Sequence, residues 1–231
     1  MQTGDATLDG IALLQPLAPA ARSALAKRCS WRRHPAHEQI IDRMDDSQDV
    51  FFLVDGRVRI VIYSLSGREI SFSDLEPGGF FGELAAIDGG PRSANVVTLS
   101  RVLVAAMPPA AFRDVITEHA PVAMLMIRHL AGLVRRSTER ITDLSTLAAN
   151  NRVQAEILRL ATKGRDGNAA RIYPIPTHSD IAGRVSTTRE TVARVFGELS
   201  RAGLVERCGN AIVVRDYRQL QDMVEEVRGL E

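Results

Sequence analysis

Lysine is nearly missing from this chain. Lys27 and Lys163 are the only two, so arginine carries almost all of the positive charge. Net charge is low as well, with a formal value of +1 over 231 residues. Such a balance excludes a protein that coats nucleic acid by bulk charge, and any such binding has to come from a local surface. Cysteine is scarce. Cys29 and Cys208 lie far apart and outside any spaced cluster, which argues against a disulfide scaffold, a zinc site or a local iron–sulfur motif. No apolar run reaches the roughly 18 residues that suggest a membrane span. Residues 1–10 are neither basic nor strongly apolar, so a secretory signal is not expected and a cytoplasmic location is. No nucleophile–base arrangement, metal motif or nucleotide-triphosphate loop stands out, so no enzyme, metal site or cofactor is expected.

Hydrophobic residues make up 45% of the chain, enough for one large core or two ordinary ones. Residues 8–28 read as short helices around Pro16 and Pro19. From about residue 38 to 107 the texture is that of short strands. Val50–Val54 is a compact apolar run, Val58–Tyr63 and Glu69–Ser73 alternate, and Ala94–Leu99 and Val102–Met107 continue the pattern. Asp55-Gly56, Ser66-Gly67, Pro77-Gly78-Gly79 and Gly89-Gly90-Pro91 separate them as turns. This spacing predicts a small antiparallel barrel or sandwich.

Helical texture begins near Pro109 and dominates residues 118–149. Met124, Ile127, Ala131, Val134, Thr138, Ile141 and Ser145 are spaced alternately by three and four, as in the seam of a two-stranded coiled coil. A second stripe runs through Met126, Leu130, Leu133, Leu144 and Leu147. One stripe would face a partner helix while the other packs on the barrel; the alternative is a buried helix with core on two sides. Asn150-Asn151 marks a break, Arg152–Ala161 a further helix and Lys163–Ala169 a loop. Residues 171–216 then read strand, helix, turn, helix, hairpin.

Two segments carry chemistry. The first runs Phe81-Gly82-Glu83-Leu84-Ala85-Ala86-Ile87-Asp88-Gly89-Gly90-Pro91-Arg92-Ser93-Ala94. Gly82 allows close backbone approach to a ligand, and the turn after it offers free N–H groups to a phosphate. Arg92 supplies a charge-assisted partner for an anion and Ser93 a hydroxyl, while Glu83 accepts from a sugar hydroxyl. The competing reading is a surface loop with an ordinary Glu83–Arg92 salt bridge. The second segment spans 178–196. Ile181 and Val185 share a face of one helix; Val192, Val195, Phe196 and Leu199 form the buried face of the next. Thr187-x-x-Glu190 has the spacing of a capping box. Arg189, Glu190 and Arg194 cluster on its exposed side, where the competing reading is a salt-bridged, solvated helix.

The first segment resembles the phosphate-binding cassette of the cyclic-AMP receptor protein and fumarate-nitrate-reduction regulator family, in Gly-Glu-Leu followed by Arg-Ser-Ala. The order Thr-Arg-Glu-Thr-Val with Arg194 after it resembles the recognition helix of the same family, and Gly203–Val214 its wing hairpin. The resemblance covers about residues 40–216. It implies an α+β chain with an N-terminal antiparallel β-roll over 1–117 that binds a cyclic nucleotide. A long dimerisation helix over 118–149 and a C-terminal winged helix-turn-helix over 150–231 would follow. It implies that Glu83 contacts the ribose 2′-hydroxyl, that Arg92 and Ser93 contact the cyclic phosphate, and that Gly82, Leu84 and Ala94 complete the cassette. Ser137 and Thr138 are similar to the family's base-contacting pair, with the two residue types exchanged. An arginine found one turn earlier in some members is Leu133 here. Cyclic AMP is the favoured effector. Cyclic GMP is the alternative, since Ser93 or Thr138 could bind the guanine amino group.

On the DNA side, the resemblance makes Arg189, Glu190 and Arg194 base readers and Ser179, Thr188 and Thr191 phosphate contacts. Arginine pairs with guanine and a carboxylate accepts from cytosine N4. The implied partners are double-stranded DNA with a TGTGA-like inverted repeat, a second copy of the chain, the cyclic nucleotide and RNA polymerase, with no membrane. A redox- or gas-sensing rival on the same fold lacks an N-terminal cysteine cluster. His34, His37, His119 and His129 sit in no recognisable haem context and read as surface or packing residues. A ligand-independent architectural DNA-binding protein is disfavoured by the intact cassette.

Overall fold

Val50–Val54 is apolar without interruption because the strand it forms is covered on both faces. The computed structural model describes residues 7–65, 69–163 and 168–229, with only the backbone of 162 and 163. They fall into two compact units, Met1–Leu133 and Val134–Glu231. In chain order the first unit holds α1 (Pro19–Ala26), β1 (Ser30–His34), β2 (Gln39–Ile41), β3 (Val50–Asp55), β4 (Val58–Tyr63) and β5 (Glu69–Leu75). It continues with β6 (Phe80–Phe81), α2 (Glu83–Asp88), β7 (Asn95–Thr98), β8 (Val102–Met107) and α3 (Pro109–Glu118). The helix α4 (Ala120–Thr146) begins in it.

The strands make two antiparallel four-stranded sheets, ordered β1-β8-β3-β6 and β2-β7-β4-β5. Side chains alternate across a strand. Phe51 and Leu53 therefore join Phe81, Val104 and Ala106 in a core shared with Ile41, Val58 and Val96 of the other sheet. Val50 and Phe52 point the opposite way, into a second core with Met107, Phe112, Val115, Val122 and Met126. The roll is thus closed on one side by its second sheet and on the other by α3 and the start of α4.

The two stripes of α4 separate over the first part of the helix. Met126 is buried and Leu130 packs on the core of the first unit. Met124, Ile127, Val134 and Ile141 are exposed at 49%, 56%, 66% and 65%, and Ala131, Thr138 and Ser145 with them. The expected packing on the barrel does not continue beyond Leu130: Leu144 stands 43% exposed, and Leu147 is buried with Ala155 and Val224 of the second unit.

The second unit contains α5 (Ala149–Leu160), β9 (Thr162–Lys163), β10 (Ala170–Ile172), α6 (His178–Val185), α7 (Arg189–Arg201), β11 (Val205–Cys208), β12 (Ala211–Val214) and α8 (Tyr217–Arg228). Its sheet runs β11-β12-β10-β9. Val153, Ile157, Ile181, Val185, Val192, Val195, Leu199 and Leu220 form the core. Two buried carboxylates fasten its helices. Asp143 accepts from Arg228 at 2.8 and 3.0 Å and pairs with Arg159 at 3.2 Å. Glu156 pairs with Arg159 and, at 3.6 Å, with Arg184. Charges this enclosed persist only because they are paired.

The structure moves several boundaries. β1 precedes the expected strand region; its Arg32-Arg33 pair breaks the alternation at a sheet edge. The break after α4 lies at 147–148, and Asn150-Asn151 stand in the first turn of α5 instead of ending a helix. The guanidinium of Arg152 holds that junction, donating to the carbonyls of Leu147, Val185 and Ser186. α7 is capped by Thr188, whose hydroxyl accepts from the Thr191 N–H at 3.2 Å, so the cap is one residue later than Thr187. The capping box belongs to α6 instead, between Thr177 and Asp180. Ser66-Gly67 and residues 164–167 of the expected loop lie outside the described residues.

Ser186, between α6 and α7, takes φ 51 and ψ 53, a left-handed conformation that costs a non-glycine residue roughly 1–2 kcal/mol. Ser186→Gly should therefore stabilise the chain by about 0.5–1 kcal/mol, the relief of that strain less the greater freedom of glycine in the unfolded state. Urea unfolding of the two proteins measures it, and a less stable variant would contradict the strain.

Candidate functional site

Gly82 stands at the turn from β6 into α2 with φ +82. A β-carbon there would lie 2.6 Å from Nη1 of Arg92 and 3.0 Å from the Asp49 carbonyl oxygen, so only glycine fits. That guanidinium is the centre of the site. Arg92 is 3% exposed. Its Nη1 donates to the Gly82 carbonyl at 2.9 Å, its Nη2 to the Asp49 carbonyl and to the Ser47 hydroxyl at 3.0 Å, and its Nε to the same hydroxyl at 3.3 Å. The guanidinium carbon lies 5.9 Å from the centre of the Phe51 ring, which stacks on Phe81 at 5.2 Å. Burial lowers the pKa of Arg92, and the nearby charges of Asp45, Asp49 and Glu83 oppose that shift. Among the described residues no carboxylate forms an ion pair with Arg92. Its bonds go to neutral oxygens, which leaves its positive charge available to an anion.

Glu83 opens α2 and is 7% exposed. Its carboxylate does not pair with Arg92, contrary to the salt-bridge alternative. Oε1 lies 3.4 Å from Nε2 of His129 on α4. The structure therefore brings Gly82, Glu83 and Arg92 together, with Leu84 half-buried, Ala94 buried and Ser93 exposed. Ser137 and Thr138 stand exposed on the part of α4 that belongs to the second unit, and the Thr138 hydroxyl donates back to the Val134 carbonyl at 3.0 Å.

The pattern of the sequence missed Ser47, Asp49, Arg113 and His129. Ser47 and Asp49 act on Arg92 from a loop, one of them through its backbone, which no side-chain spacing announces. Arg113 donates to the Ala86 carbonyl at 2.7 Å and ties α2 to α3. A signal did exist for His129. It follows Met126 by three and precedes Leu130, which places it on the inward stripe of α4.

In the second unit α6, the turn at Ser186 and α7 form the helix-turn-helix. Arg189, Glu190 and Arg194 are exposed on α7, as are Thr188 at its cap and Ser179 on α6; Thr191 is half-buried. The Glu190 carboxylate is held below its ordinary pKa by its own backbone N–H and by the Thr188 hydroxyl. Arg194 donates to the Asn150 side-chain oxygen at 2.8 Å and lies 3.4 Å from Glu198. Beyond α7, Cys208 pairs with Ala211 across a two-residue turn, where Gly209 takes φ +57. The hairpin β11–β12 is the wing.

Burial pushes the Cys29 thiol up to about 11, so it stays protonated near neutrality and is a poor nucleophile. No cluster of three or more His, Cys, Asp or Glu able to hold a metal occurs among the described residues. No helix among them is long and apolar enough to cross a membrane.

Residues 31–119 match the cyclic nucleotide-binding domain model, and residues 151–223 match the Crp-like helix-turn-helix domain. The cAMP-activated global transcriptional regulator Vfr of Pseudomonas aeruginosa is 31% identical over 199 residues, which cover 82% of this chain and 91% of the relative. A CRP-like cAMP-activated global transcriptional regulator of Mycobacterium tuberculosis is 26% identical over 218 residues, covering 94% and 97%. A solved structure of a CooA mutant from Carboxydothermus hydrogenoformans superposes with a TM-score of 0.79 over 96% of this chain and 98% of that one, at 18% identity, a likeness of fold. These relatives by sequence are transcription regulators and not enzymes. The chain thus belongs to the cyclic-AMP receptor protein and fumarate-nitrate-reduction regulator family, as a cyclic-nucleotide-binding transcription regulator with a C-terminal helix-turn-helix.

Proposed function

We propose that the protein is a homodimeric, cyclic-AMP-dependent regulator that binds an inverted-repeat DNA site with TGTGA-like halves. The observation that carries the ligand reading is Arg92, a buried cation bonded to neutral oxygens, with the buried carboxylate of Glu83 nearby. A cyclic phosphate is a singly charged anion joined to a ribose whose 2′-hydroxyl donates. Arg92 and Ser93 take the phosphate, Glu83 takes the hydroxyl, and Gly82, Leu84 and Ala94 shape the cradle. Ser137 and Thr138 read the base. Cyclic AMP is favoured because the sequence relatives named above are described as cAMP-activated. Cyclic GMP is the alternative effector.

The exposed seam of α4 supports the dimer. Val134 and Ile141 are large apolar residues left open at coiled-coil spacing, and a second copy of the helix covers them. The β-roll spans 1–117, the dimerisation segment 118–149 with α4 as its helix, and the winged helix-turn-helix 150–231. Two-fold symmetry sets two copies of α7 roughly 34 Å apart, in successive major grooves. Arg189 and Arg194 pair with guanines, Glu190 accepts from a cytosine, and Ser179, Thr188 and Thr191 hold phosphates. Arg194 gives up Asn150 on binding. The regulator works in the cytoplasm with RNA polymerase as a partner.

Arg92→Leu should lower cyclic AMP affinity at least about tenfold, or ~1.4 kcal/mol, while variant and parent both sediment as dimers. Calorimetry with cyclic AMP and cyclic GMP measures this, and unchanged affinity for both would remove the pocket. On the DNA side, Arg189→Ala should cost about 1–3 kcal/mol and relax preference at a single base pair. Thr191→Ala should weaken all sequences alike. Selection from random DNA with cyclic AMP saturating checks both, and recovery of an unrelated motif would overturn the readout.

A further inference from the structure

Glu83 has to be held for its carboxylate to meet a ribose hydroxyl, and Arg92 does not hold it. Its hydrogen-bonding side-chain partner among the described residues is His129, with Nε2 at 3.4 Å from Oε1. The Glu83 side chain is 9% exposed and that of His129 28%. The imidazole has a second contact. It packs on the ring of Phe80, centroid to centroid 4.7 Å, with the planes tilted by 47°. Phe80 and Glu83 lie on either side of Phe81-Gly82, so one imidazole touches both flanks of the turn that carries the cassette. Its own position is fixed by the helix beneath it, because Val122 and Met126 are buried in the core and Leu130 packs against it.

We infer that His129 is the positioning residue for Glu83. An ionised carboxylate only accepts hydrogen bonds, so the imidazole must present an N–H at Nε2. Phe80 sets the plane of the ring, and Nε2–H donates to Oε1. The rotamer of Glu83 is thereby fixed and Oε2 is left as the acceptor for the 2′-hydroxyl. The donor also offsets the cost of keeping a buried carboxylate next to an anionic ligand. This inference rests on the reading that Glu83 takes the ribose hydroxyl.

Two probes separate positioning from packing, namely cyclic AMP and 2′-deoxy cyclic AMP, titrated calorimetrically into the full-length protein. His129→Phe keeps a ring against Phe80 and deletes the donor; His129→Gln keeps a donor near the place of Nε2. The parent should prefer cyclic AMP by about tenfold or more, the scale of a lost hydrogen bond to a charged group. His129→Phe should lose about five- to tenfold for cyclic AMP and change less than about twofold for the deoxy probe. His129→Gln should recover most of the parent's preference. An equal loss for both probes in His129→Phe, or no loss, would overturn the positioning role and leave the ribose reading standing. A parent that binds both probes equally would overturn the ribose reading itself, and the inference with it.

Discussion

A guanidinium taken out of water and bonded to two carbonyls and a hydroxyl is the constraint on which the rest of the ligand site depends. Burial disfavours the charged form of Arg92, and the fields of Asp45, Asp49 and Glu83 restore part of what burial removes. Its hydrogen bonds pin two separate pieces of chain, the loop at Ser47 and Asp49 and the turn at Gly82. Gly82 has no β-carbon because the guanidinium occupies that place. The left-handed turn at Gly82 starts α2, and α2 sets Glu83 toward α4. One buried cation thus dictates a glycine, a turn and the position of a carboxylate.

Much of this was legible in the sequence. The doubly covered strand shows as Val50–Val54, and the spacing of α4 separates Met126 and Leu130, which face the roll, from the open seam, although Leu144 is exposed and Leu147 packs with Ala155 and Val224 of the second unit. Met126 and Ile127 are neighbours in sequence, yet one is 2% exposed and the other 56%. The family resemblance located both chemical segments. What stayed hidden has physical reasons. Half of the hydrogen bonds of Arg92 go to backbone carbonyls, which leave no mark in a pattern of side chains. β1 is an edge strand whose paired arginines obscure its period. α8 had its signals at the ends, in the cap at Asp216 and the left-handed Gly229, but Leu220 and Val224 alone are a thin apolar face. The helix cap fell at Thr188 and not Thr187, since neighbouring threonines compete for one role and spacing does not choose between them.

The second unit is organised by the same economy of buried charge. Asp143 near the end of α4 and Glu156 on α5 are held by Arg159, Arg184 and Arg228, while Arg152 bonds the junction before α5 to the turn at Ser186. The end of α4 and the turn that precedes α7 are therefore linked through hydrogen-bonded groups. Asn150, in the first turn of α5, also reaches Arg194 on α7. Under the proposed function, a nucleotide that altered the proposed seam of α4 would act on this junction. Thr138 lies both on the proposed seam and in the proposed base contact. Such a ligand can bias DNA binding only to the extent that it prefers the DNA-competent state.

That preference has a thermodynamic counterpart. If cyclic AMP raises affinity for operator DNA by some factor, operator DNA must raise affinity for cyclic AMP by the same factor. The most direct measurement is a titration of cyclic AMP into the full-length protein, with and without a saturating inverted-repeat operator. The account predicts tighter nucleotide binding with DNA present, by the factor found when DNA is titrated with and without nucleotide. Equal nucleotide affinity in the two titrations would contradict it.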